Sequence, residues 1–298
     1  MYKKTRICEC CGKELTYGSY SAWHLAEKNH GLCRSCAGRK KAKRLNNLSI
    51  LLEDTPETYY WIGFLLADGH FDEKRIIVGL AEHDRGHLER FAKYISYEGT
   101  ISTVKKNSYN DVHNAVRLSA MDTEVVTKLR EKFDIKSNKT YNPPKTLKWV
   151  PEDLFLCLLA GFIDGDGNIN NFHNRKDAFI RIKTHSSWLP ILKEFGVFLK
   201  KENSVKINKN GYAEMLITGY PLIRNLKEKL LSCNLPILSR KWGKIDLNLK
   251  TRYETKTENY AKIEKLLQQG IKQMEIAKIV VVSNSVVTKV KKLLQNEK

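Results

Sequence analysis

The sequence has no hydrophobic run long enough to cross a membrane, and no segment with the pattern of a secretory signal peptide. Its two most apolar stretches end at Asp68 and Asp164, before they reach the roughly 18 uncharged residues that a membrane span requires. We therefore expect a protein that lies inside the cell and makes no contact with a membrane.

Acidic residues are scarce relative to basic ones, because the 298 residues include 33 Asp and Glu against 52 Lys and Arg, a net charge of +19. The excess is concentrated at the two ends: residues 1–50 carry 11 basic and 3 acidic side chains, and residues 251–298 carry 10 and 5. This distribution indicates a polyanionic partner, although a basic surface that only faces water would have the same composition. The length predicts about two to four domains.

One short pattern occurs twice, as WIGFLLADG at residues 61–69 and as LAGFIDGDG at residues 159–167. Each copy is an apolar helix pattern that ends in a carboxylate. Small residues recur four apart in both copies, which leaves a flat strip along which two helix backbones can approach closely. We therefore predict two helices that pack against each other through their glycines.

Proline marks the predicted start of each of these two helices, and glycine marks its predicted end. Pro56 and Pro151 occupy helix-start positions, and Gly69 and Gly167 are predicted to close the helices in the left-handed conformation. If the helices are parallel, Asp68 and Asp166 meet at their negative ends and repel each other. A hard divalent cation with oxygen ligands, Mg²⁺ above all, would compensate that charge.

These residues resemble the two motifs of the LAGLIDADG homing endonucleases, in the single-chain form that carries both copies. The second copy is nearly the consensus, whereas the first departs from it at Trp61 and Leu66. The resemblance implies a metal site formed by the carboxylates of Asp68 and Asp166 and by the backbone carbonyls of Ala67 and Gly165.

Residues 54–247 contain the same order of predicted segments twice, about 98 positions apart. Each motif is followed by extended segments and amphipathic helices, and the periodicity predicts an αββαββα order in both halves, residues 54–150 and 151–247. The resemblance implies the same α+β fold, in which two antiparallel sheets form a saddle over DNA.

Basic and apolar residues alternate in several predicted strands, which indicates one buried and one polar sheet face. A β-ribbon fits the major groove, where such side chains read base edges and phosphates, although alternation also suits a face that only meets water. The predicted DNA-binding residues of the sheets are Arg75, Arg117, Arg181, Lys183 and Lys206.

A basic residue recurs near the end of each half. The resemblance implies that one lysine per half lies near the metal and polarises the attacking water or neutralises the phosphate. Lys139 and Lys241 are the candidates, with Arg240 as an alternative, and ordinary surface lysines would give the same pattern in so basic a chain.

The first 40 residues contain two Cys-x2-Cys pairs, formed by Cys8 with Cys11 and, 22 positions later, by Cys33 with Cys36. This spacing predicts a zinc-ribbon-like module with a four-thiolate Zn²⁺ site. Cys10, His24 or His30 could each replace one of these ligands. A basic linker at residues 41–53 follows and would contact phosphates, or touch nothing.

After a polar linker at residues 248–257, residues 258–298 resemble a helix-turn-helix. Val281 stands where such turns often carry glycine, which would strain a β-branched residue if the turn needs a positive φ. The residues predicted to face DNA are Asn284, Ser285, Thr288 and Lys289. A small helical module that binds protein is the alternative.

The resemblance implies a monomeric homing endonuclease that makes a metal-dependent double-strand break in a long DNA target. It would act in the cytoplasm of a bacterial or phage-infected host, or in an organelle. Two alternatives share the scaffold: a transcriptional regulator that binds DNA without cutting it, and an RNA maturase. An intein is not expected, because the chain starts with Met1 and has no terminal His-Asn pair.

Overall fold

The computed structural model describes residues 3–108, 111–171, 178–249 and 252–296. Within these ranges no helix is both long and apolar enough to cross a bilayer. The helices in chain order are α1 (Tyr20–Lys28), α2 (Arg34–Leu45), α3 (Pro56–Asp68), α4 (Arg85–Tyr94), α5 (Thr123–Lys132), α6 (Phe155–Asp166), α7 (Leu189–Phe198), α8 (Tyr220–Ser232), α9 (Ser239–Trp242), α10 (Arg252–Gln268), α11 (Gln273–Val280) and α12 (Asn284–Asn296). The strands are β1 (Lys4–Ile7), β2 (Glu14–Tyr17), β3 (Gly69–Phe71), β4 (Arg75–Ala81), β5 (Ser102–Ser108), β6 (Asp111–Met121), β7 (Gly167–Asn171), β8 (Ala178–Thr184), β9 (Val205–Ile207) and β10 (Ala213–Thr218).

The centre of the chain is a repeated unit, as predicted. Each half runs in the order αββαββα, from α3 to α5 and from α6 to α8. Each half also forms a four-stranded antiparallel sheet, with strand orders β3-β4-β6-β5 and β7-β8-β10-β9. The equivalent strands therefore occupy equivalent positions in the two sheets.

Helices α3 and α6 lie side by side with their backbones in contact. A Cβ atom built on Gly63 would lie 1.9 Å from the carbonyl oxygen of Leu158, and one built on Gly161 would lie 1.8 Å from that of Tyr60. Nearer the helix ends, a Cβ on Gly165 would lie 2.3 Å from the Cβ of Ala67. The first two contacts lie near the middle of both helices and the third lies near the C-terminal end of both, so the helices are parallel and the motif glycines allow the approach.

The predicted left-handed closure of these helices is wrong. Gly69 and Gly167 have φ angles of −75° and −81° and are extended, because the chain passes directly from each helix into strand β3 or β7. A Cβ at these glycines would lie 2.6 Å from the carbonyl oxygen of Leu65 and 2.5 Å from that of Ile163. Glycine is therefore needed here for a close backbone approach and not for a positive φ.

The two helices begin differently. Pro56 opens α3 at its first turn, and the hydroxyl of Thr55 accepts the backbone N–H of Thr58 at 3.2 Å. Pro151 instead precedes a 3-10 turn, and α6 starts only at Phe155. The second motif helix is thus shorter at its start than the proline position predicted.

One continuous hydrophobic core joins the two halves. Side chains that are almost fully buried come from both, including Trp61 on α3, Phe162 on α6, Trp188 before α7 and Trp242 on α9. The terminal segments have small clusters of their own: cysteines in the N-terminal module, and Ile263, Ile276, Val280, Val287 and Val290 between α10, α11 and α12.

The terminal helices cross the predicted boundaries. Helix α2 continues through the start of the basic linker, and α10 starts at Arg252, inside the segment predicted as a polar linker. The turn between α11 and α12 does place Val281 in the left-handed region, at φ 57°, with 87% of the side chain exposed. The domain limits themselves stay predictions.

Candidate active site

The ends of the two motif helices bring their carboxylates to one place. Asp68 ends α3 and Asp166 ends α6, and a Cβ built on Gly165 would lie 3.5 Å from the carboxyl carbon of Asp68. Both residues reach the surface, although the carboxyl group of Asp166 is surrounded by protein atoms. Desolvation by the surrounding protein raises the pKa of Asp166 to about 6, and the neighbouring carboxylate of Asp68 adds to this rise. Two acids that repel each other therefore share this site.

Lys139 caps the C-terminal end of α3. Its Nζ donates to the carbonyl oxygens of Leu66 and Ala67, each at 2.7 Å, and only 8% of the residue is exposed. Burial lowers the pKa of Lys139 to about 8, while the carboxylates of Asp166 and Asp68 oppose this shift. The ammonium satisfies carbonyls that a helix end leaves without partners.

Lys241 has the same place at the end of α6. Its Nζ donates to the carbonyl oxygens of Ile163, Asp164 and Gly165, at 3.0, 2.5 and 2.9 Å. Burial lowers its pKa, against the carboxylates around it. The structure thus brings together both predicted lysines, both predicted carboxylates and the carbonyls of Ala67 and Gly165.

Asp164, at the sixth position of the second motif, is a residue that the sequence reasoning missed. It is 1% exposed, and it accepts the hydroxyl of Tyr60 at 2.7 Å, the backbone N–H of Leu238 at 2.8 Å and the indole N–H of Trp242 at 2.9 Å. Burial raises its pKa to about 6 even though these donors oppose the rise. Asp164 therefore ties α3 and the segment around α9 to α6.

The first half has no carboxylate at the equivalent position, where Leu66 stands. The available signal was this difference between the two motif copies, in which only the second keeps the acid. Its partners could not be inferred, because Tyr60, Leu238 and Trp242 are 104, 74 and 78 positions away in sequence.

Arg240, the alternative to Lys241, points away from the carboxylates of the site. Its guanidinium donates from Nε and Nη2 to the carboxylate of Asp84, at 3.0 and 2.7 Å. Asp84 belongs to the first half, just before α4. Arg240 therefore joins the two halves.

The predicted basic residues of the sheets are exposed, but several have partners. Arg75 donates from Nε to Asp72 at 2.6 Å, Arg181 lies 3.8 Å from Glu214, and the ammonium of Lys183 lies 4.3 Å from the ring centre of Tyr212. Arg117 and Lys206 are exposed on β6 and β9.

The polar sheet face thus carries an acid that alternation did not predict. Glu214 lies opposite both Lys183 and Lys206 in the strand register. Exposed ion pairs of this kind contribute little stability, about 0 to 1 kcal/mol, so the basic groups can exchange such partners for others.

The family model of the LAGLIDADG-like domain matches residues 55–134, which run from the N-cap of α3 to just after α5. Residues 55–134 are therefore similar to a LAGLIDADG-like domain. The second half repeats its element order and carries the more complete copy of the motif.

The chain has structural similarity to solved proteins. The chain is similar to the homing endonuclease I-WcaI bound to its DNA recognition sequence, with a TM-score of 0.50 and 16% identity over 70% of this chain and 92% of that one. It is also similar, at a TM-score of 0.40 and 12% identity, to the meganuclease I-SmaMI bound to uncleavable DNA, over 79% of this chain and 96% of that one. The similarity to I-WcaI confirms the fold that the two motifs predicted.

A sequence relative is the B subunit of the A-type ATP synthase of Methanopyrus kandleri, which is 25% identical over 169 residues. The match covers 55% of this chain and 15% of that protein. Because the match covers so little of the ATP synthase subunit, it shows only that the two proteins share a similar segment.

Four cysteines of the N-terminal module form a cluster. The Sγ atoms of Cys8, Cys11, Cys33 and Cys36 all lie within 4.8 Å of one another. Hydrogen bonds from backbone N–H groups, that of Cys33 first, lower the pKa of Cys8 to about 6.

The three alternative zinc ligands have other positions. Cys10 is exposed and outside the four-cysteine cluster found in the described part of the chain. His30 pairs through Nδ1 with Glu9 at 2.9 Å, and the ring of His24 stacks on Tyr20 at 5.7 Å between ring centres.

The C-terminal helices present the predicted polar face. Val287 and Val290 of α12 are buried against α10 and α11, whereas the opposite face is exposed. That exposed face carries all four predicted residues, Asn284, Ser285, Thr288 and Lys289. The hydroxyl of Ser283, just before α12, lies 2.7 Å from that of Ser285.

Proposed function

We propose that the protein is a site-specific DNA endonuclease that makes a double-strand break in a long duplex target. The observation that carries this proposal is the meeting of one carboxylate and one buried lysine from each half at the ends of two parallel helices. A pseudo-symmetric pair of this kind suits two cuts on opposite, antiparallel strands. The fold shared with I-WcaI, a homing endonuclease bound to its DNA recognition sequence, supports the same function.

The donors at the helix ends fit a hard divalent cation. All of them are oxygens. Desolvation first and the nearby carboxylate of Asp68 second raise the pKa of Asp166, and a cation would compensate the charge of the two acids. Asp68 and Asp166 would hold Mg²⁺ together with the carbonyls of Ala67 and Gly165, each of which has a second lone pair beside the one used by a lysine. Such an ion neutralises charge on the leaving 3′ oxygen and lowers the pKa of a bound water.

The protein's own groups position the reaction. Lys139 and Lys241 hold the carbonyls at the two helix ends and place a positive charge beside the phosphate, where they neutralise it or polarise the attacking water. The exposed basic residues of the two sheets contact the duplex, and they are Arg75, Arg117, Arg181, Lys183 and Lys206.

The terminal modules lengthen the footprint on DNA. The cysteine module would be held by Zn²⁺, and α12 would enter a groove with Asn284, Ser285, Thr288 and Lys289. Tethering them to the core raises their effective concentration at flanking DNA, so a monomer can recognise a long site.

Selection from a randomised duplex library in the presence of Mg²⁺ tests the function. We expect cleaved molecules with one shared sequence and short 3′ overhangs, and no cleavage when EDTA replaces Mg²⁺. Sequences that are enriched by binding but never cut would identify a transcriptional regulator instead. Specific binding to a structured RNA, without cleavage of DNA, would identify a maturase.

The zinc site is tested by the metal content of matched cysteine variants. We expect about one zinc ion per chain in the wild type and in Cys10→Ser, and almost none in Cys8→Ser, because four thiolates close a structural site. The first 40 residues of Cys8→Ser should also be cleaved faster by trypsin, since so small a module depends on its metal. Equal zinc in both variants would contradict the ligand set.

A further inference from the structure

An ion pair links the segment that carries Lys241 to the opposite half of the molecule. Asp84 lies at the start of α4 in the first half, and its side chain is 11% exposed. Arg240 lies on α9, next to Lys241, and donates two hydrogen bonds to this carboxylate. Two parallel N–H···O bonds fix a guanidinium in orientation as well as in distance.

Helix α9 is only four residues long, so its position depends on its side chains. Arg240 reaches across to Asp84, Lys241 turns the other way to the carbonyls at the end of α6, and Trp242 donates to Asp164. A second group from α4 supports the same segment, since Arg90 donates to the carbonyl oxygen of Ile237 at 3.4 Å.

The lysine of the first half is held differently. Next to Lys139, the carbonyl oxygen of Thr140 accepts the hydroxyl of Ser187 at 2.9 Å, and the ring of Tyr141 lies against that of His185 at 4.8 Å between centres. These contacts with the second half are made by a hydroxyl, a carbonyl and two rings. In the described part of the chain, the residues that follow Lys139 directly, Thr140 and Tyr141, thus make no ion pair with the second half, whereas the neighbour of Lys241 pairs with Asp84 of the first half.

We propose that Asp84 is a positioning residue for Lys241: from the first half it holds Arg240, and through Arg240 it sets the place of the lysine at the end of α6. The inference rests on the proposed nuclease function. Partial burial would raise the pKa of Asp84, but the guanidinium of Arg240 outweighs this and keeps it below its usual value. The carboxylate is therefore charged throughout the neutral range.

Cleavage of a plasmid that carries one target site distinguishes the cutting of one strand from the cutting of both. Asp84→Asn keeps the size of the side chain and removes its charge, so we expect cleavage of one strand to slow about tenfold while the other is unchanged, because small displacements of a catalytic group are costly. Nicked circles should then accumulate, whereas the wild type passes on to linear DNA.

Two further variants control this result. Asp54→Asn removes an aspartate whose partner, Lys132, lies in the same half at 2.6 Å, and it should leave the nicked fraction as in the wild type. Exchanging the charges, in the double variant Asp84→Arg with Arg240→Asp, should restore the wild-type time course of plasmid cleavage. A wild-type nicked fraction in Asp84→Asn, or equal slowing of both strands, would overturn the proposal.

A second measurement does not depend on cleavage. Lys241 and Lys139 are almost equally buried, at 7% and 8% exposure, so their rates of acetylation by acetic anhydride report how firmly each is held. We expect Asp84→Asn to raise the rate at Lys241 about tenfold and to leave Lys139 unchanged. Unchanged protection of Lys241 overturns the proposal, even if the protein proves not to be a nuclease.

Discussion

Asp166→Asn is expected to abolish cleavage, with a fall in rate of about a thousandfold or more, while affinity for the DNA target changes little. The substitution keeps the shape of the side chain but removes the charge that a divalent cation needs at the end of α6. It also removes the repulsion from Asp68 that contributes to the raised pKa of Asp166, so the metal-free protein should be no less stable. Asp68→Asn should behave in the same way.

The measurement is single-turnover cleavage beside a binding titration in Ca²⁺. Asp153→Asn is the matched control, since this exposed aspartate lies in the turn before α6, at the far end of the same helix. It should cleave as the wild type does. Undiminished cleavage by a pure Asp166→Asn preparation would remove this residue from the active site.

Gly161→Ala is expected to destabilise the protein by about 3 kcal/mol or more. The new methyl group would lie 1.8 Å from the carbonyl oxygen of Tyr60, so α3 and α6 would have to separate. Because both carboxylates are carried by these helices, the surviving folded protein should also cleave more slowly. Denaturation in urea, monitored by tryptophan fluorescence, gives the change in the free energy of unfolding.

Gly86→Ala is the control for helix propensity. Gly86 lies in the first turn of α4, and a Cβ built there meets no atom within 4 Å. Alanine should therefore be neutral or stabilising by up to about 1 kcal/mol at this position. If Gly161→Ala were as stable as the wild type, the backbone contact between α3 and α6 could not have the geometry described above.

Local pattern predicted much of this architecture. The alternation over residues 179–183 predicted a strand where β8 lies, and the repeated motif predicted the parallel helices with Asp68 and Asp166 at their ends. Strand β3 has only three residues and no room for a period, so pattern alone could not locate it. The conformation of Gly69 was predicted wrongly because the rule for helix closure assumes a turn, and here a strand follows at once.

The side-chain partners at the site lay beyond sequence reasoning. Lys139 and Lys241 could be proposed because they recur in similar settings, but their carbonyl partners are 72 to 78 positions away. The direction of Arg240 was equally hidden, since its partner Asp84 is 156 positions distant. Such pairs exist only once the two halves have been brought together.

The two halves are not equivalent, because only the second motif has an acid, Asp164, at its sixth position. When the motifs are aligned on Gly63 and Gly161, Leu158 takes the place of Tyr60. A symmetric dimer made of two second halves would therefore bury Asp164 without the hydroxyl that it accepts here, at a cost of about 1 to 3 kcal/mol for each missing donor. The two halves are therefore complementary at this contact, and a second copy of the second half could replace the first half only with this loss of stability.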